Sequence, residues 1–266
     1  MAAPSGTVTF LFTDIEGSVK LWESHPAEMQ AALARHDEIL REVMQSADGH
    51  VFKTIGDAFC VAFDTSPNAL QASVRAQEAL IKEKWPGGIK IRSRMAIHTG
   101  SADPRDGDYF GQTLNRTSRL LVIGHGGQIL MSDVAQDLAR DSLPKGISFK
   151  PLGAHRLRDL GRPEFVFQVE SLGLGSEFPA LRSLDSLPNN LPQQLTSFIG
   201  REEVLADLKA LIGRTRLLTL TGSGGSGKTR LSLQVAADLL DGSGDGVWFV
   251  DLASLRDPAL VAATIA

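Results

Sequence analysis

An α+β fold, built on a ferredoxin-like split βαβ unit with one extra helix, is what residues 1–170 predict. Short runs of alternating apolar residues read as strands, apolar residues at helical spacing fill the stretches between them, and the two kinds follow one another as βααββαβ. That order implies an antiparallel sheet with helices packed on one face. A different pattern, an apolar run followed by a glycine-rich loop and a helix, comes only after residue 195 and predicts an incomplete α/β segment over 196–266.

The first strand, Val8 to Phe12, leads to Asp14, after which Gly17 and Ser18 open a short helix to Ser24. A longer amphipathic helix runs from Ala27 to Ser46. His50 to Phe63 reads as two strands folded about Gly56-Asp57, the Gly-X signature of a two-residue hairpin turn, which displays the Asp57 carboxylate at its tip. Counting by twos puts Lys53 in phase with Val51 and Ile55, on an apolar face where an unpaired charge is costly. A helix from Asn68 to Lys84 and a strand from Ile89 to His98 complete the unit. Beyond it come a short loop, a helix from about Gln112 to Ile123, a strand from Gln128 to Met131, a helix from Asp133 to Arg140 and a closing strand pair ending near Val169. Over 171–195 the periodicity is lost and three prolines appear, so this stretch reads as a linker between the domain 1–170 and the segment 196–266.

The chain has 266 residues, enough for one or two domains, and its 42% hydrophobic content suits a buried core. A net charge of -4 gives no electrostatic reason to expect nucleic acid or an anionic membrane as partner. Cys60 is the single cysteine, so no internal disulfide forms, and within a strand pattern it reads as a buried thiol. With no basic, apolar leader and no run of 18 apolar residues, the expected location is the cytoplasm. The histidines show no paired metal-ligand spacing.

Three clusters carry chemistry. In "FLFTDIEGS" the Asp14 carboxylate stands beside a helix N-terminus opened by Gly17 and Ser18, whose free N–H groups suit phosphate. In "KTIGDAF" Lys53 and Asp57 lie four residues apart, about 13 Å along an extended strand, so they serve opposite ends of a nucleotide or separate sites. In "GDYFGQTLNRTSRL" Asn115 and Arg119 project from one helical face and Asp108 precedes them in the entering loop. Each cluster alone has a plainer reading, as turn former, snorkelling lysine or polar helix surface. Together they supply two carboxylates for divalent metal, a phosphate-binding helix start and an arginine for phosphoryl charge.

These residues resemble the class III adenylyl cyclases over about residues 5–170, and all six functional positions occur with the family's local spacing. The resemblance implies that Asp14 and Asp57 bind two divalent metal ions, Mg2+ or Mn2+. It further implies that Lys53 and Asp108 read adenine, and that Asn115 and Arg119 position ribose and stabilise the transition state. The activity implied is conversion of ATP to cyclic AMP and pyrophosphate in intracellular signalling, at sites shared across a head-to-tail homodimer. The stretch "GSADPRDGD" is shorter than the dimerisation arm of many relatives and looks like the short-arm bacterial subgroup. Adenine presents an acceptor at N1 and a donor at N6, which match a lysine and an aspartate, whereas guanine presents the reverse. Guanylyl cyclase activity and a catalytically silent nucleotide-sensing or dimerising module are the competing readings.

The segment "TSFIGREEVLADLKALI" resembles the entry to STAND-type signalling ATPases. After the apolar run Leu217 to Leu220 comes "GSGGSGKT", a full G-x-x-x-x-G-K-T loop in which Gly222 and Gly227 shape the phosphate cradle, Lys228 meets the β/γ-phosphates and Thr229 the magnesium. Only one further strand, Val247 to Val250, is expected. The stretch therefore looks like the opening of a larger ATPase cut short.

Overall fold

The computed structural model describes residues 3–158, 160, 162–183, 190–192, 201–240, 246–253 and 255–265. It divides into two compact units, the first formed by residues 1–155 and 163–181, the second by residues 156–162 and 182–266.

In the first unit the elements are β1 (Gly6–Ile15), α1 (Ser18–Ser24), α2 (Pro26–Ser46), β2 (His50–Ile55), β3 (Ala58–Phe63), α3 (Ser66–Lys82), β4 (Ser93–Ala102), α4 (Gln112–Ile123), β5 (Ile129–Ser132), α5 (Asp133–Ala139), β6 (Ile147–His155) and β7 (Glu164–Ser171). The strands form one seven-stranded sheet in the order β2-β3-β1-β4-β5-β7-β6. All neighbours run antiparallel except β4 and β5, which are parallel. β1 lies at the centre of the βααββαβ unit, pairing along its length with β4 from Gly6↔Ala102 to Ile15↔Ser93.

Register sorts the side chains. Leu11 pairs with Val61 and Ile97, and Thr13 with Phe59 and Met95, so the odd residues of β1 share one face with them. That face builds the main core with Ile39, Leu40 and Met44 of α2, Leu70 and Ala72 of α3, and Ala135 and Ala139 of α5. The helices α2 and α3 of the βααββαβ unit share that face as expected, and α4, which lies beyond the unit, occupies the other. Its Thr113 side chain lies 2.8 Å from where a Cβ on Gly100 would be, and Gly100 pairs with Val8 on the even face of β1. Only glycine allows that approach. Arg116 of α4 also reaches Glu164 at the start of β7, at 2.7 Å. The even face beyond α4 carries an aromatic cluster: Phe10 and Phe52 both meet the Tyr109 ring edge-to-face, at 5.1 and 4.8 Å between centroids.

Two strand expectations change. Ile89 and Ile91 alternate with Lys90 and Arg92 like a strand, yet they precede β4 and pack with Ile15, Met29 and Ala32 in a separate small cluster. β4 begins only at Ser93, where pairing with β1 becomes available. In β2, Val51 pairs with Val61 and Lys53 with Cys60, so Phe52 is the extra residue of a β-bulge. The bulge moves Lys53 to the face opposite Val51. The expectation that the two share an apolar face is therefore wrong, and Lys53 is exposed.

Residues 172–181 carry no regular secondary structure beyond a turn, as a linker would, but they pack on the first unit. Leu181 is buried, Gln168 Nε2 donates to the Ser176 carbonyl at 2.8 Å, and His125 Nε2 pairs with the Ala180 carbonyl at 3.0 Å. The remainder of the predicted linker lies largely outside the described residues.

The second unit contains α6 (Glu202–Ile212), α7 (Lys228–Leu239) and the short α8 (Val261–Ile265). α6 and α7 pack through Leu208, Leu231 and Val235. Neither 217–220 nor the predicted strand Val247 to Val250 is a strand here. The Phe249 main chain pairs with a side chain: its N–H donates to Asn190 Oδ1 and its carbonyl accepts from Asn190 Nδ2. Among the described residues no helix is long and apolar enough to cross a membrane.

Buried histidines set an acid limit on the first unit. Burial pushes His98 down to about 4, helped by the positive Arg116, and burial lowers His36 as well. The unfolded chain takes up a proton on His98 below about pH 6.5, the folded chain only near 4, so acidification across that window favours unfolding. Compared with His98→Gln, the wild type should lose melting temperature as pH falls from 6.5 to 4 and keep a constant offset above 6.5. A constant offset throughout, measured by scanning fluorimetry, would contradict this.

Candidate active site

The hairpin β2–β3 turns at Gly56-Asp57, with Ile55 paired to Ala58. Gly56 has φ +60°, the left-handed value that a tight hairpin turn needs and glycine supplies. The turn carries the Asp57 carboxylate back to β1, where its Oδ2 accepts the Ile15 N–H at 3.1 Å. Asp14, one residue earlier, pairs in register with Arg94 of β4. Arg94 donates from Nε and Nη2 to the same Asp14 oxygen, Oδ2, at 2.9 and 2.6 Å, and from Nη1 to the Val122 carbonyl of α4 at 3.1 Å.

The two aspartates are thus neighbours, and the electrostatics of Asp14 reflect it. Burial raises its carboxyl above the ordinary value, Arg94 opposes that, and the Asp57 carboxylate raises it further. Among the described residues the hydrogen bonds to these two groups use Oδ2 of each, which leaves both Oδ1 atoms for a cation. No group of three or more His, Cys, Asp or Glu suited to a metal occurs among the described residues. Two carboxylates fit a hard divalent ion whose remaining ligands are substrate phosphates and water. Gly17, at φ +71°, caps the seven-residue α1 that starts at Ser18, just beyond Asp14.

Lys53 and Asp108 come together from 55 residues apart, Lys53 Nζ donating to Asp108 Oδ2 at 2.5 Å. A tight turn makes this possible: Arg105 and Asp108 exchange main-chain hydrogen bonds of 2.8 and 3.0 Å around Asp106 and Gly107, both at positive φ as in a type I′ turn. Asp108 Oδ1 is held by the Tyr109 N–H at 2.8 Å, while Tyr109 itself is buried with its hydroxyl on the Pro4 carbonyl. The Asp108 hydrogen bond raises Lys53 above the ordinary lysine value, and the Lys53 hydrogen bond lowers Asp108. Asn115 and Arg119 stand one turn apart on α4, Asn115 exposed and Arg119 half-buried.

In the second unit Gly227, at φ +81°, precedes α7, so "GSGGSGKT" does form a loop entering a helix at Lys228 and Thr229. The Lys228 ammonium turns back onto the loop, donating to the Gly222 and Ser223 carbonyls at 3.0 and 2.8 Å.

Sequence reading passed over Arg94. The clue was the one used for Lys53, a cation in phase with strand residues such as Ala96 and His98 that proved buried.

The sheet thus carries an aspartate pair at the end of its central strand and a lysine–aspartate pair on the same face. The chain belongs to the adenylate and guanylate cyclase catalytic domain family, whose model matches residues 1–170. An uncharacterized protein of Mycobacterium tuberculosis is 37% identical over 201 residues, covering 74% of this chain and 68% of that one. The adenylate cyclase of Podospora anserina is 29% identical over 222 residues, 63% of this chain but 10% of that protein. Among solved structures, adenylate cyclases from Trypanosoma brucei in their monomeric state include one with a TM-score of 0.61 at 28% identity, covering 68% of this chain and 95% of that chain.

Arg94 and Asp14 have side chains only 18% and 24% exposed, so removing one strands the other. Asp14→Ala should cost at least about 1–3 kcal/mol, the range for a buried polar group left without its partner, which charged groups exceed. Lys53→Ala should leave the melting temperature nearly unchanged, since an exposed pair contributes little. Equal melting shifts for the two variants would overturn this ranking.

Proposed function

We propose that residues 1–170 form an adenylyl cyclase that converts ATP to cyclic AMP and pyrophosphate, working as a homodimer. The carrying observation is the Lys53–Asp108 pair on the open sheet face. It offers an ammonium donor and a carboxylate acceptor side by side, the pattern that adenine N1 and N6 require. The preset turn at Asp106-Gly107 and the Tyr109 N–H hold the acceptor in place, so little ordering remains when the base arrives.

Cyclisation moves the ribose 3'-hydroxyl onto the α-phosphorus and expels pyrophosphate, an in-line displacement that chiefly demands positioning and charge neutralisation. Asp14 and Asp57 would hold the divalent ions, Mg2+ or Mn2+, and the chemistry these supply is neutralisation of the triphosphate and polarisation of the 3'-hydroxyl. Gly17 and Ser18 would receive phosphate oxygens at the start of α1. Asn115 would orient the ribose, and Arg119 would meet charge that develops on the transferring phosphoryl group. Ile55 and Phe110, large apolar residues left 59% and 64% exposed near the Lys53–Asp108 pair, support coverage by a second copy of the chain. In that arrangement Asp14 and Asp57 of one copy serve the same site as Lys53, Asp108, Asn115 and Arg119 of the other.

In the remainder of the chain, residues 171–195 would connect this domain to a P-loop segment at 196–266. Gly222, Gly227, Lys228 and Thr229 would contact phosphate and magnesium there.

Incubation of the purified chain with Mn2+ and each nucleotide tests the reading. Cyclic AMP and pyrophosphate should form in equal amounts, with kcat/KM for ATP exceeding that for GTP by on the order of 10² or more, because guanine leaves both polar partners mismatched. Preference for GTP would make it a guanylyl cyclase. Nucleotide binding without product would make it a sensor module.

A further inference from the structure

We infer that residues 172–181 act as a strap: when seated they press the loop 124–128 against Glu16 and so fix the start of α1, which places the cyclase under control from its C-terminal side. The inference rests on the cyclase reading above and adds to it a control element that lies beyond residues 1–170.

A plain linker needs no buried polar fastening, and this stretch has one. The His125 N–H donates to Gln128 Oε1 at 3.1 Å, Gln128 Nε2 to Gln168 Oε1 at 2.8 Å, and Gln168 Nε2 to the Ser176 carbonyl at 2.8 Å. Both glutamines are 2% exposed, so each amide has to be satisfied in place, and the series runs in one direction, from the loop to the strap. Beside it, the Phe178 ring lies 3.9 and 3.5 Å from where Cβ atoms on Gly127 and Gly175 would be, Leu174 packs on the main core, and Leu181 is buried. His125 closes the far end, its Nε2 donating to the Ala180 carbonyl at 3.0 Å.

The other side of the loop meets the start of α1. His125 Nδ1 lies 4.0 Å from Glu16 Oε1. A Cβ on Gly126 would fall 2.8 Å from Glu16 Oε2 and 2.6 Å from the Arg92 Cβ, so glycine is what admits the loop this close. The Gly127 N–H donates to the Ser93 carbonyl at 2.9 Å and the Met95 N–H to the Gln128 carbonyl at 3.0 Å, which ties the loop to β4. Glu16, its own N–H on the Arg92 carbonyl at 2.9 Å, lies between Ile15, whose N–H holds Asp57, and Gly17, which caps α1. A shift of the loop is therefore passed by direct contact to the stretch that presents carboxylate and helix start.

The strap has no helix or strand of its own and most of its side chains are exposed, so its seating is among the first contacts to open. The chain passes into the second unit at Arg182, directly after Leu181. Seated and released are two states of one element. Because the seated state is the one in which Glu16 is held, metal and nucleotide favour seating, and seating favours metal and nucleotide by the same factor.

Phe178→Ala combined with Leu181→Ala, in the full chain, removes the apolar seating and leaves every residue assigned to the site in place. Hydrogen exchange read by mass spectrometry, kcat/KM for ATP with Mn2+, and the melting temperature are measured together. Exchange should quicken over 172–181, 124–128 and 15–21, and kcat/KM should fall about 5- to 150-fold, the usual size of an allosteric coupling, in a protein that remains folded. In the wild type, Mn2+ with 3'-deoxy-ATP, which lacks the attacking hydroxyl, should slow exchange over 172–181; this arm needs no variant and decides the matter if the double variant melts early. A released strap that leaves exchange over 15–21 or kcat/KM at the wild-type value overturns the inference, and so does a wild-type strap whose exchange ignores bound nucleotide. Failure of the cyclase reading looks different: the wild type then makes no cyclic product, while exchange over 15–21 in the double variant still shows whether the strap holds that stretch.

Discussion

One extra residue in β2 decides what the first unit presents. Phe52 has no partner in the β3 ladder, and this slip sends Val51 toward the helices and Lys53 toward the opposite face. In an unbroken ladder Lys53 would follow Val51 onto the core face, opposite Phe59 and in the row of Thr13 and Met95, where its charge would be desolvated without a partner. With the bulge, the Phe52 ring joins Phe10 and Tyr109, and the ammonium meets Asp108. The bulge thus trades one ladder pair for a charge placed where a ligand can reach it, a common use of bulges near functional sites.

The other polar groups are organised around the same central strand. Asp14 is at the end of β1, Asp57 is returned to β1 by a two-residue turn, and Arg94 is the neighbour of Asp14 on β4. Two carboxylates and one guanidinium, all partly buried, leave local negative charge that a divalent cation would complete, and burial already pushes the Asp14 carboxyl upward. α4 is held at three points along its length over the even face, two on β4 and one on β7, which makes its exposed Asn115 and half-buried Arg119 a rigid projection from the sheet. Precision of this kind comes from strands and helices more readily than from loops.

Much of this was legible in the sequence. Alternation gave β1, β3 and the hairpin turn, helical spacing gave α2, α3 and α4, and charges out of keeping with their strand marked Lys53. Local pattern could not reveal what depends on pairing. The bulge at Phe52 exists only relative to β3, so period counting put Lys53 on the wrong face. Ile89 and Ile91 alternate like a strand, but strand status needs a neighbour, and their burial comes from Ile15 and Met29. Val247 to Val250 is likewise an apolar run that forms no strand here. Arg94 was visible as an in-phase cation, but its meaning required knowing that β1 and β4 are adjacent. Asp108 was noted in the loop that enters α4, but its pairing with Lys53 came from the resemblance, and the physical reason it reaches Lys53 is the turn at Asp106 and Gly107.

The central claim is that two copies of the chain share each site, and complementation tests it most directly. Asp57→Ala and Arg119→Ala chains should each be nearly inactive alone, the second by on the order of 10² to 10³ if Arg119 is a preorganised charge stabiliser. Co-expressed, they should form mixed dimers in which one site collects both damaged residues and the other collects none. Random pairing makes half the dimers mixed with one good site of two, so activity should return to about one quarter of wild type. Mixed dimers that demonstrably form yet stay at background would contradict the shared site.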